Sequence, residues 1–336
     1  MRPSDQVPSS VHKLRPADIK IVAALGDSIT AANGAKANNV EEVLLQYRGE
    51  AFSVGGNDDL TKTVTIPNVL RKFRESLYGY SVGIGPESFY PVSHLNVAVP
   101  GSVAEDLPGQ AKDLANRMKN SKHVDLNNDW KLITIFIGGN DACAYCHETS
   151  KYSADNYRRH LRDTIHILRT YIPRAIVQLV GMIHVEILRR VGIDHVQCVT
   201  MHAAECPCAA DTHNVPDQVF RDIEKGYQQA VDDIQNSGEF EHDDFTVVAQ
   251  PLAEDSVVGP LCPDGTINVD FFAPDCFHFS QRGHNIVARY LWNNMLQPVG
   301  AKDRAANLTI TDTKLLCPDP KCPYIRTTMN SKHCDV

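Results

Sequence analysis

Five short apolar runs, separated by segments with helical periodicity, constrain the fold of this 336-residue chain more than any other feature. Such alternation is typical of βαβ units and predicts a parallel sheet covered by helices. In one helical segment, Leu161, Ile165 and Leu168 fall on one face, as expected for a helix that packs against a sheet. The predicted strands are residues 19–25, 93–99, 131–137, 175–182 and 245–249. The predicted helices are residues 67–77, 103–118, 154–171, 216–234 and 281–296.

The length and composition indicate one large α/β domain. We assign residues 1–18 to an N-terminal extension, residues 19–298 to the domain and residues 299–336 to a cysteine-containing tail. Hydrophobic residues make up 43% of the chain and charged residues 22%, as in soluble globular proteins, and no apolar stretch is long enough to span a bilayer. The net charge is −8 and the basic residues are scattered, which argues against nucleic acid as a partner and against a polybasic membrane patch.

Ten cysteines are many for a cytosolic enzyme, and their even number predicts disulfides and an oxidising compartment. An alternative is that Cys143-x-x-Cys146 and Cys206-Pro207-Cys208 hold zinc or act as redox pairs. No second CxxC follows at zinc-finger spacing, so we expect disulfides and no metal site. Cys143 and Cys146 are then either bridged to each other or fix the loop that follows Asn140.

Two further features bear on where the protein acts. Asn307-Leu308-Thr309 is an acceptor sequence for N-glycosylation, which agrees with secretion. The first ten residues, MRPSDQVPSS, contain no apolar core of a signal peptide. We therefore expect an extracellular protein that is either a mature form or a piece of a longer precursor.

An apolar run ends at Gly26-Asp27-Ser28, where it would deliver a serine to the carboxyl edge of the sheet. Open α/β folds build their sites at this edge. A second block, Asp275-Cys276-Phe277-His278, places a carboxylate three residues before an imidazole, so that a tight turn would bring it to Nδ1. Taken singly, Ser28 could be a turn or helix-cap residue and Asp275 a solvated turn residue. Together the blocks predict a nucleophilic serine with His278 as its base and Asp275 as the orienting acid.

Two more blocks follow the second and third predicted strands. Gly101 comes after the second strand, and its missing side chain lets its backbone N–H approach a ligand closely. Asn140 follows the third strand and brings a carboxamide to the same edge. A strand-end turn and an Asx-turn would explain these residues individually. A backbone N–H and a carboxamide are also the donors of an oxyanion hole, and four such blocks at one sheet edge indicate a catalytic site.

These residues resemble the signature of a known hydrolase family. Ser28, Gly101, Asn140 and His278 are similar to the four signature positions of the SGNH (GDSL) hydrolases. From about residue 10 to about residue 300, strings such as ALGDSIT, DWKLITIFIGGNDAC and DCFHFSQRGH resemble the repeat unit of the membrane-associated phospholipases B. The resemblance implies a flavodoxin-like α/β/α sandwich with a central parallel sheet, and catalysis without a cofactor or metal. It also implies a triad of Ser28, Asp275 and His278, and an oxyanion hole made by Gly101, Asn140 and the Ser28 backbone N–H.

The resemblance further implies a serine esterase that hydrolyses fatty-acyl esters of glycerophospholipids and lysophospholipids through an acyl-enzyme. Two alternatives stay open, because substrate choice depends on the loops. One is an esterase for short-chain or carbohydrate acetyl esters, and the other is a lipid- or carbohydrate-binding pseudoenzyme. For the phospholipase we expect contact with a lipid interface, and neither a nucleic-acid nor a metal partner. Three long irregular stretches are candidate walls of the substrate cleft: residues 31–65, 186–216 and 256–274.

Overall fold

The protein is described by a computed structural model that covers residues 1–256, 259–262, 264–309 and 312–334. At its centre lies a four-stranded, all-parallel sheet with the strand order β1-β2-β3-β4. The register pairs Gly26 with Phe136, so β1 and β2 end side by side. Nearly every strand residue is buried, as expected for a parallel sheet with helices on its faces. The strands are β1 (Ile19–Gly26), β2 (Trp130–Phe136), β3 (Ala175–Val180) and β4 (Phe245–Gln250).

Four of the five predicted strands are confirmed, whereas residues 93–99 form a bridge to β1 instead of a strand. Ser93 belongs to a short helix, and His94 has a left-handed backbone with φ of 44°, so no strand begins there. The chain beyond still runs parallel along the free edge of β1, where Ala24 donates to the Leu95 carbonyl at 3.2 Å. With this edge segment the order is the 2-1-3-4-5 of flavodoxin-like folds, which confirms the predicted class.

Helices flank the sheet. The α-helices are α1 (Ile66–Leu70), α2 (Tyr90–Ser93), α3 (Leu107–Asn120), α4 (Gly139–Ala144), α5 (Ala154–Tyr171), α6 (Val196–Glu205), α7 (Pro207–Ala210), α8 (Asp217–Asn236), α9 (Gln281–Leu296) and α10 (Thr328–Lys332). Short 3₁₀ helices span Val11–Lys13, Pro16–Asp18, Glu41–Leu44, Arg48–Glu50, Ala104–Asp106, Val185–Arg189 and Val269–Phe271. α3, α5 and α8 pack side by side, and α9 packs against β4 and α1.

Two predictions of secondary structure need correction. The predicted helix at 67–77 is too long, because α1 ends at Leu70 and the chain turns so that Phe73 stacks on Trp292 of α9. The stretch 186–216, predicted as irregular, contains α6 and α7. Residues 257, 258 and 263 of the third predicted irregular stretch lie outside the described residues. The other four predicted helices are confirmed as α3, α5, α8 and α9.

Both terminal segments pack onto the domain and onto each other. Val11 and Leu14 are fully buried, and the Ile325 N–H donates to the Leu14 carbonyl at 2.8 Å. Asn330 Nδ2 donates to the carbonyl of His12 at 2.8 Å. Across the described ranges, no helix has both the length and the apolar character needed to cross a membrane.

Candidate active site

Ser28, His278 and Asp275 form a continuous hydrogen-bonded chain at the carboxyl edge of the sheet. Ser28 lies two residues beyond the end of β1, and its hydroxyl donates to His278 Nε2 at 2.8 Å. His278 Nδ1 donates to Asp275 Oδ2 at 2.5 Å, which fixes the tautomer because a carboxylate only accepts. Asp275 is fully buried, and Ser28 and His278 are each 7% exposed. The order of contacts is the one that lets an imidazole take the proton of a serine.

The turn from Asp275 to His278 is fixed by hydrogen bonds to the Asp275 side chain and by a disulfide. Asp275 Oδ1 accepts from the backbone N–H groups of Phe277 at 3.0 Å and His278 at 3.1 Å. Cys276 has φ of 61°, a left-handed conformation that is uncommon for residues other than glycine. Its side chain is bridged to Cys198 on α6. The carboxylate and the imidazole therefore keep their relative positions.

Burial and charge act in opposite directions on this pair. Burial raises the pKa of Asp275, but the hydrogen bond and charge of His278 outweigh it and hold that pKa below its usual value. Burial lowers the pKa of His278, but the hydrogen bond and charge of Asp275 outweigh it and raise that pKa. The site thus favours the imidazolium that forms when His278 accepts a proton. Burial also raises the pKa of Asp27, next to Ser28, to about 6.

A hydrogen bond links Asn140 to Ser102, the residue that follows Gly101. Gly101 is exposed and has φ of 81°, in the region that favours glycine. Asn140 lies in the first turn of α4, and its Nδ2 donates to the Ser102 carbonyl at 2.8 Å. Because a carboxamide carries two N–H donors, this bond orients the group and leaves a second donor for a ligand.

Gln110 on α3 joins these segments to β1, and no motif in the sequence singles it out. Its Oε1 accepts from the Gly26 N–H at 2.9 Å, and its Nε2 donates to the Gly26 carbonyl at 2.8 Å and to Ser102 Oγ at 3.1 Å. One side chain therefore holds the backbone two residues before Ser28 and the residue after Gly101. The sequence pattern that could reveal it is a glutamine on the buried face of α3.

Asp141 holds α4 against the loop that follows Gly101. Both of its carboxyl oxygens accept from the Ala104 N–H, at 3.1 and 3.2 Å, and the residue is only 3% exposed. Burial raises the pKa of Asp141 to about 7. Since Asn140 precedes Asp141, this contact also fixes the start of α4 where the carboxamide emerges.

An apolar cavity of about 70 Å³ lies beside Ser28. Four of its lining residues are chain neighbours of candidate site residues: Asp27 and Ile29 flank Ser28, Gly139 precedes Asn140 and Phe277 precedes His278. Most of the other walls are aliphatic or aromatic: Phe136, Met182, Ile183, Val185, Ile187, Leu188, Phe272 and Phe279. A cavity with this lining accepts hydrocarbon next to the serine.

A groove of about 410 Å³ adjoins the cavity at Phe272, which lines both. Its walls include Gly34, His195 and Val269. Each of the three irregular stretches predicted as cleft walls therefore supplies part of this groove.

Three disulfides connect α6 and α7 to both halves of the site. Cys198 is bridged to Cys276 in the turn from Asp275 to His278, hereafter the acid–base turn. Cys206 and Cys208 are bridged to Cys143 and Cys146 after Asn140. The prediction that Cys143 and Cys146 fix the segment after Asn140 is confirmed, although this segment is α4 and its following turn rather than a loop. The alternatives of a mutual bridge and of zinc or redox pairs are wrong. A fourth disulfide joins Cys322 to Cys334, and Cys262 and Cys317 are free. The expectation that most cysteines are oxidised is therefore confirmed.

His184, Glu186 and Glu224 form a cluster of metal-ligand type next to the cavity wall. His184 Nδ1 lies 3.3 Å from Glu186 Oε1 and 3.2 Å from Glu224 Oε2. Hydrogen bonds to Glu186 and Glu224 raise the pKa of His184 to about 10, while burial opposes them. The three side chains thus compensate one another's charge, and we assign them to holding residues 184–186 against α8.

Comparison with known proteins decides the family. A family model described as GDSL-like Lipase/Acylhydrolase matches residues 22–291. The chain belongs to this family. It is 41% identical to "Phospholipase B1, membrane-associated" of Mus musculus and 42% identical to the Homo sapiens protein of that name, in each case over 98% of this chain. The match covers 22% of each relative, so this GDSL-like chain spans about a fifth of their length.

A solved structure from Parabacteroides merdae, described as a GDSL-like lipase, covers 81% of this chain and 92% of its own, with a TM-score of 0.43 and 14% identity. The assignment of the fold rests on the sheet order and the family match.

Proposed function

We propose that this chain is a serine esterase in which Ser28 attacks an acyl carbonyl and forms an acyl-enzyme. The observation that carries the proposal is the hydrogen-bonded chain from Ser28 through His278 to Asp275, with distances of 2.8 and 2.5 Å. His278 takes the proton of Ser28 and returns it to the leaving alcohol, while Asp275 stabilises the imidazolium. Water, deprotonated by the same imidazole, then releases the acid and restores Ser28.

The proposed oxyanion hole consists of the backbone N–H groups of Ser28 and Gly101 and the carboxamide of Asn140. The hydrogen bond from Asn140 to the Ser102 carbonyl supports this role, because it orients a second N–H donor. Gln110 supports this role as well, since its side chain bonds both Ser102 and Gly26 at the end of β1 and so fixes the distance between them. Such donors stabilise the tetrahedral intermediate without a Lewis acid, so we expect activity to be independent of calcium.

The proposed substrates are fatty-acyl esters of glycerophospholipids and lysophospholipids. The apolar cavity accepts the first carbons of an acyl chain, and the adjoining groove has room for the rest of the lipid. The relatives named phospholipase B1 align with nearly the whole of this chain. An acetyl ester would use little of this apolar surface, and a binding protein without catalysis has no use for a base bonded to a serine.

Exposed aliphatic side chains around the groove support contact with a lipid interface. Leu44 is 81% exposed, and the neighbouring Leu45 carbonyl accepts from the N–H of Gly34 in the groove at 3.0 Å. Val196 is 83% exposed next to two groove residues, and Val269 lines the groove itself. Apolar side chains exposed together mark an interaction surface. Binding through them should depend little on salt, because screening acts on charges.

We further propose that the chain acts outside the cell. Its four disulfides persist in oxidising compartments, and Asn307, which lies exposed in an acceptor sequence, is the proposed glycosylation site. The named relatives are described as membrane-associated.

Product analysis on a phospholipid with two differently labelled acyl chains tests the proposed reaction. We expect both labels to be released as free fatty acids, with chelator present or absent. Ser28→Ala is the matched control and should release neither. A clear preference for acetyl esters at matched concentration, or loss of activity in chelator, would contradict the proposed phospholipase activity.

Binding to phosphatidylcholine vesicles tests the lipid contact separately. Leu44→Ser combined with Val196→Ser should weaken binding severalfold at low and high salt. Tyr171→Ser, which changes an exposed side chain at the opposite end of the sheet, serves as the control. Equal binding by the unmodified protein, the double variant and Tyr171→Ser would place the lipid contact elsewhere.

A further inference from the structure

Glu205 is a second carboxylate beside the candidate triad, and the proposed chemistry does not use it. It is the last residue of α6, and one ligand atom each of Glu205, Asp275 and His278 lie within 4.8 Å of one another. Its Oε2 is buried and has no hydrogen-bond partner among the residues that the structure describes. Since an unpartnered buried polar atom costs folding free energy, its placement beside His278 requires an explanation.

The position of Glu205 is fixed by links between α6 and the acid–base turn. These links are the Cys198–Cys276 disulfide, a hydrogen bond of 2.8 Å from Gln197 Nε2 to the Pro274 carbonyl and one of 2.9 Å from His202 Nε2 to the Cys276 carbonyl. The residue after Glu205, Cys206, is bridged to Cys143. The end of α6 that carries Glu205 therefore cannot move away from His278 without breaking several of these contacts.

We propose that Glu205 is a positioning residue of the esterase, whose negative charge stabilises, together with Asp275, the His278 imidazolium formed when Ser28 loses its proton. The inference rests on the proposed function, because it assigns Glu205 to the same proton transfer. Among the described residues, the titratable groups that face His278 are Asp275 from its own turn, Glu205 from α6, Asp27 just after β1 and His284 from α9. Glu205 is the one supplied by the disulfide-linked helix.

The charge of Glu205 changes in the pH range where such an enzyme works. Burial, with the charge of Asp275, raises the pKa of Glu205 to about 7, while His278 opposes this shift. Burial lowers the pKa of His278, but Asp275 and then Glu205 raise it. Two unit charges at this separation shift each other's pKa by roughly half a unit to two units, depending on screening. Support for the imidazolium therefore grows as the pH rises through about 7.

Glu205→Gln tests the inference through the second-order rate at which a fluorophosphonate labels Ser28, measured between about pH 5 and pH 9, a range that brackets the histidine pKa. Without the negative charge the pKa of His278 falls, so the acid limb should move to lower pH by about half a unit or more, and the plateau should drop severalfold. Glu205→Asp should restore part of the original profile. Asp163→Asn removes an equal charge from the exposed face of α5 and should leave the profile unchanged.

The outcomes separate this inference from the proposed function. A Glu205→Gln profile that coincides with that of the unmodified protein overturns the role of Glu205 while Ser28 and His278 keep theirs. Labelling of another residue, or a rate with no acid limb, overturns the proposed function itself. If Glu205→Gln fails to fold by circular dichroism, NMR of labelled histidine in the unmodified protein decides, because coupled groups titrate in two steps. A single-step titration of His278 would then overturn the inference.

Discussion

Gln110→Met should weaken both the fold and the reaction, because one side chain holds two segments of the site. The replacement keeps the length of the side chain but removes three hydrogen bonds, two to Gly26 and one to Ser102. The Gly26 carbonyl still accepts from Val99 at 3.2 Å, whereas the buried Gly26 N–H loses the acceptor that Gln110 provides. An orphaned buried donor costs about 1–3 kcal/mol and a lost hydrogen bond about 1 kcal/mol, so we expect a loss of about 2–4 kcal/mol.

The reaction should suffer because the freed backbone leads directly to Ser28. A misplacement of about 1 Å costs roughly a hundredfold in rate, so turnover should fall by about 10- to 100-fold. Urea unfolding and steady-state kinetics on one purified variant measure the two effects separately.

Gln235→Met is the matched control, because Gln235 on α8 accepts from the buried Ala249 N–H of β4 at 2.9 Å, three strands away from β1. It should cost about 1–3 kcal/mol of stability and leave turnover unchanged. If Gln110→Met lost stability but kept full turnover, Gln110 would be a packing residue like Gln235. If neither variant lost stability, the hydrogen-bond argument itself would fail.

The other predictions concern the proposed triad, the proposed oxyanion hole and the disulfides. Ser28→Ala should abolish hydrolysis at an unchanged urea midpoint, and mass spectrometry should find the organophosphonate adduct of the unmodified protein on Ser28 and nowhere else. Asn140→Ala should lower turnover roughly 10²- to 10³-fold with little change in KM, because the proposed oxyanion hole loses one donor; unchanged turnover would limit Asn140 to its bond with Ser102. Cys198→Ala with Cys276→Ala should cost about 2–5 kcal/mol and lower turnover as the acid–base turn loosens, and full turnover would refute that bracing role.

The parts of the site that the sequence reveals are those set by local geometry. Ser28 and Asn140 follow apolar strands, and parallel strands bring their carboxyl ends to one edge. Asp275 and His278 are three residues apart, so a single turn joins them. In each case the spacing along the chain nearly determines the distance in space.

The parts that the sequence conceals depend on contacts between distant residues. Gln110 and Gly26 are 84 positions apart, and no local pattern couples a helix glutamine to a particular strand end. The disulfide pairing is equally hidden, because ten cysteines allow many connectivities. Glu205 becomes noticeable only when the Cys198–Cys276 bridge has placed α6 beside the candidate triad.

The segment at 93–99 shows how a side chain can replace a strand partner. Arg48 is fully buried, and its guanidinium donates to the carbonyls of Asn96 at 3.0 Å and Ala98 at 2.7 Å. These carbonyls point away from β1, where a neighbouring strand would donate to them in a wider sheet. Apolar patterning predicts that such a segment is buried, but it cannot distinguish a ladder of strands from an arginine that satisfies the same acceptors.

The disulfides help to position His278, as the sheet positions Ser28. Ser28 and Asn140 follow neighbouring strands whose register fixes their spacing. His278 instead lies in a turn between a 3₁₀ helix and α9, which an isolated bridge between Phe272 and Phe279 and a bond of 2.7 Å from the Ala273 N–H to the His278 carbonyl close. The proposed triad must be positioned to within a fraction of an ångström, so support from outside this turn adds to its precision. α6 provides that support through Cys198, and Cys206 ties the same helix to α4 near Asn140. Because Glu205 is the last residue of α6, the helix that supports the acid–base turn also places a carboxylate beside it.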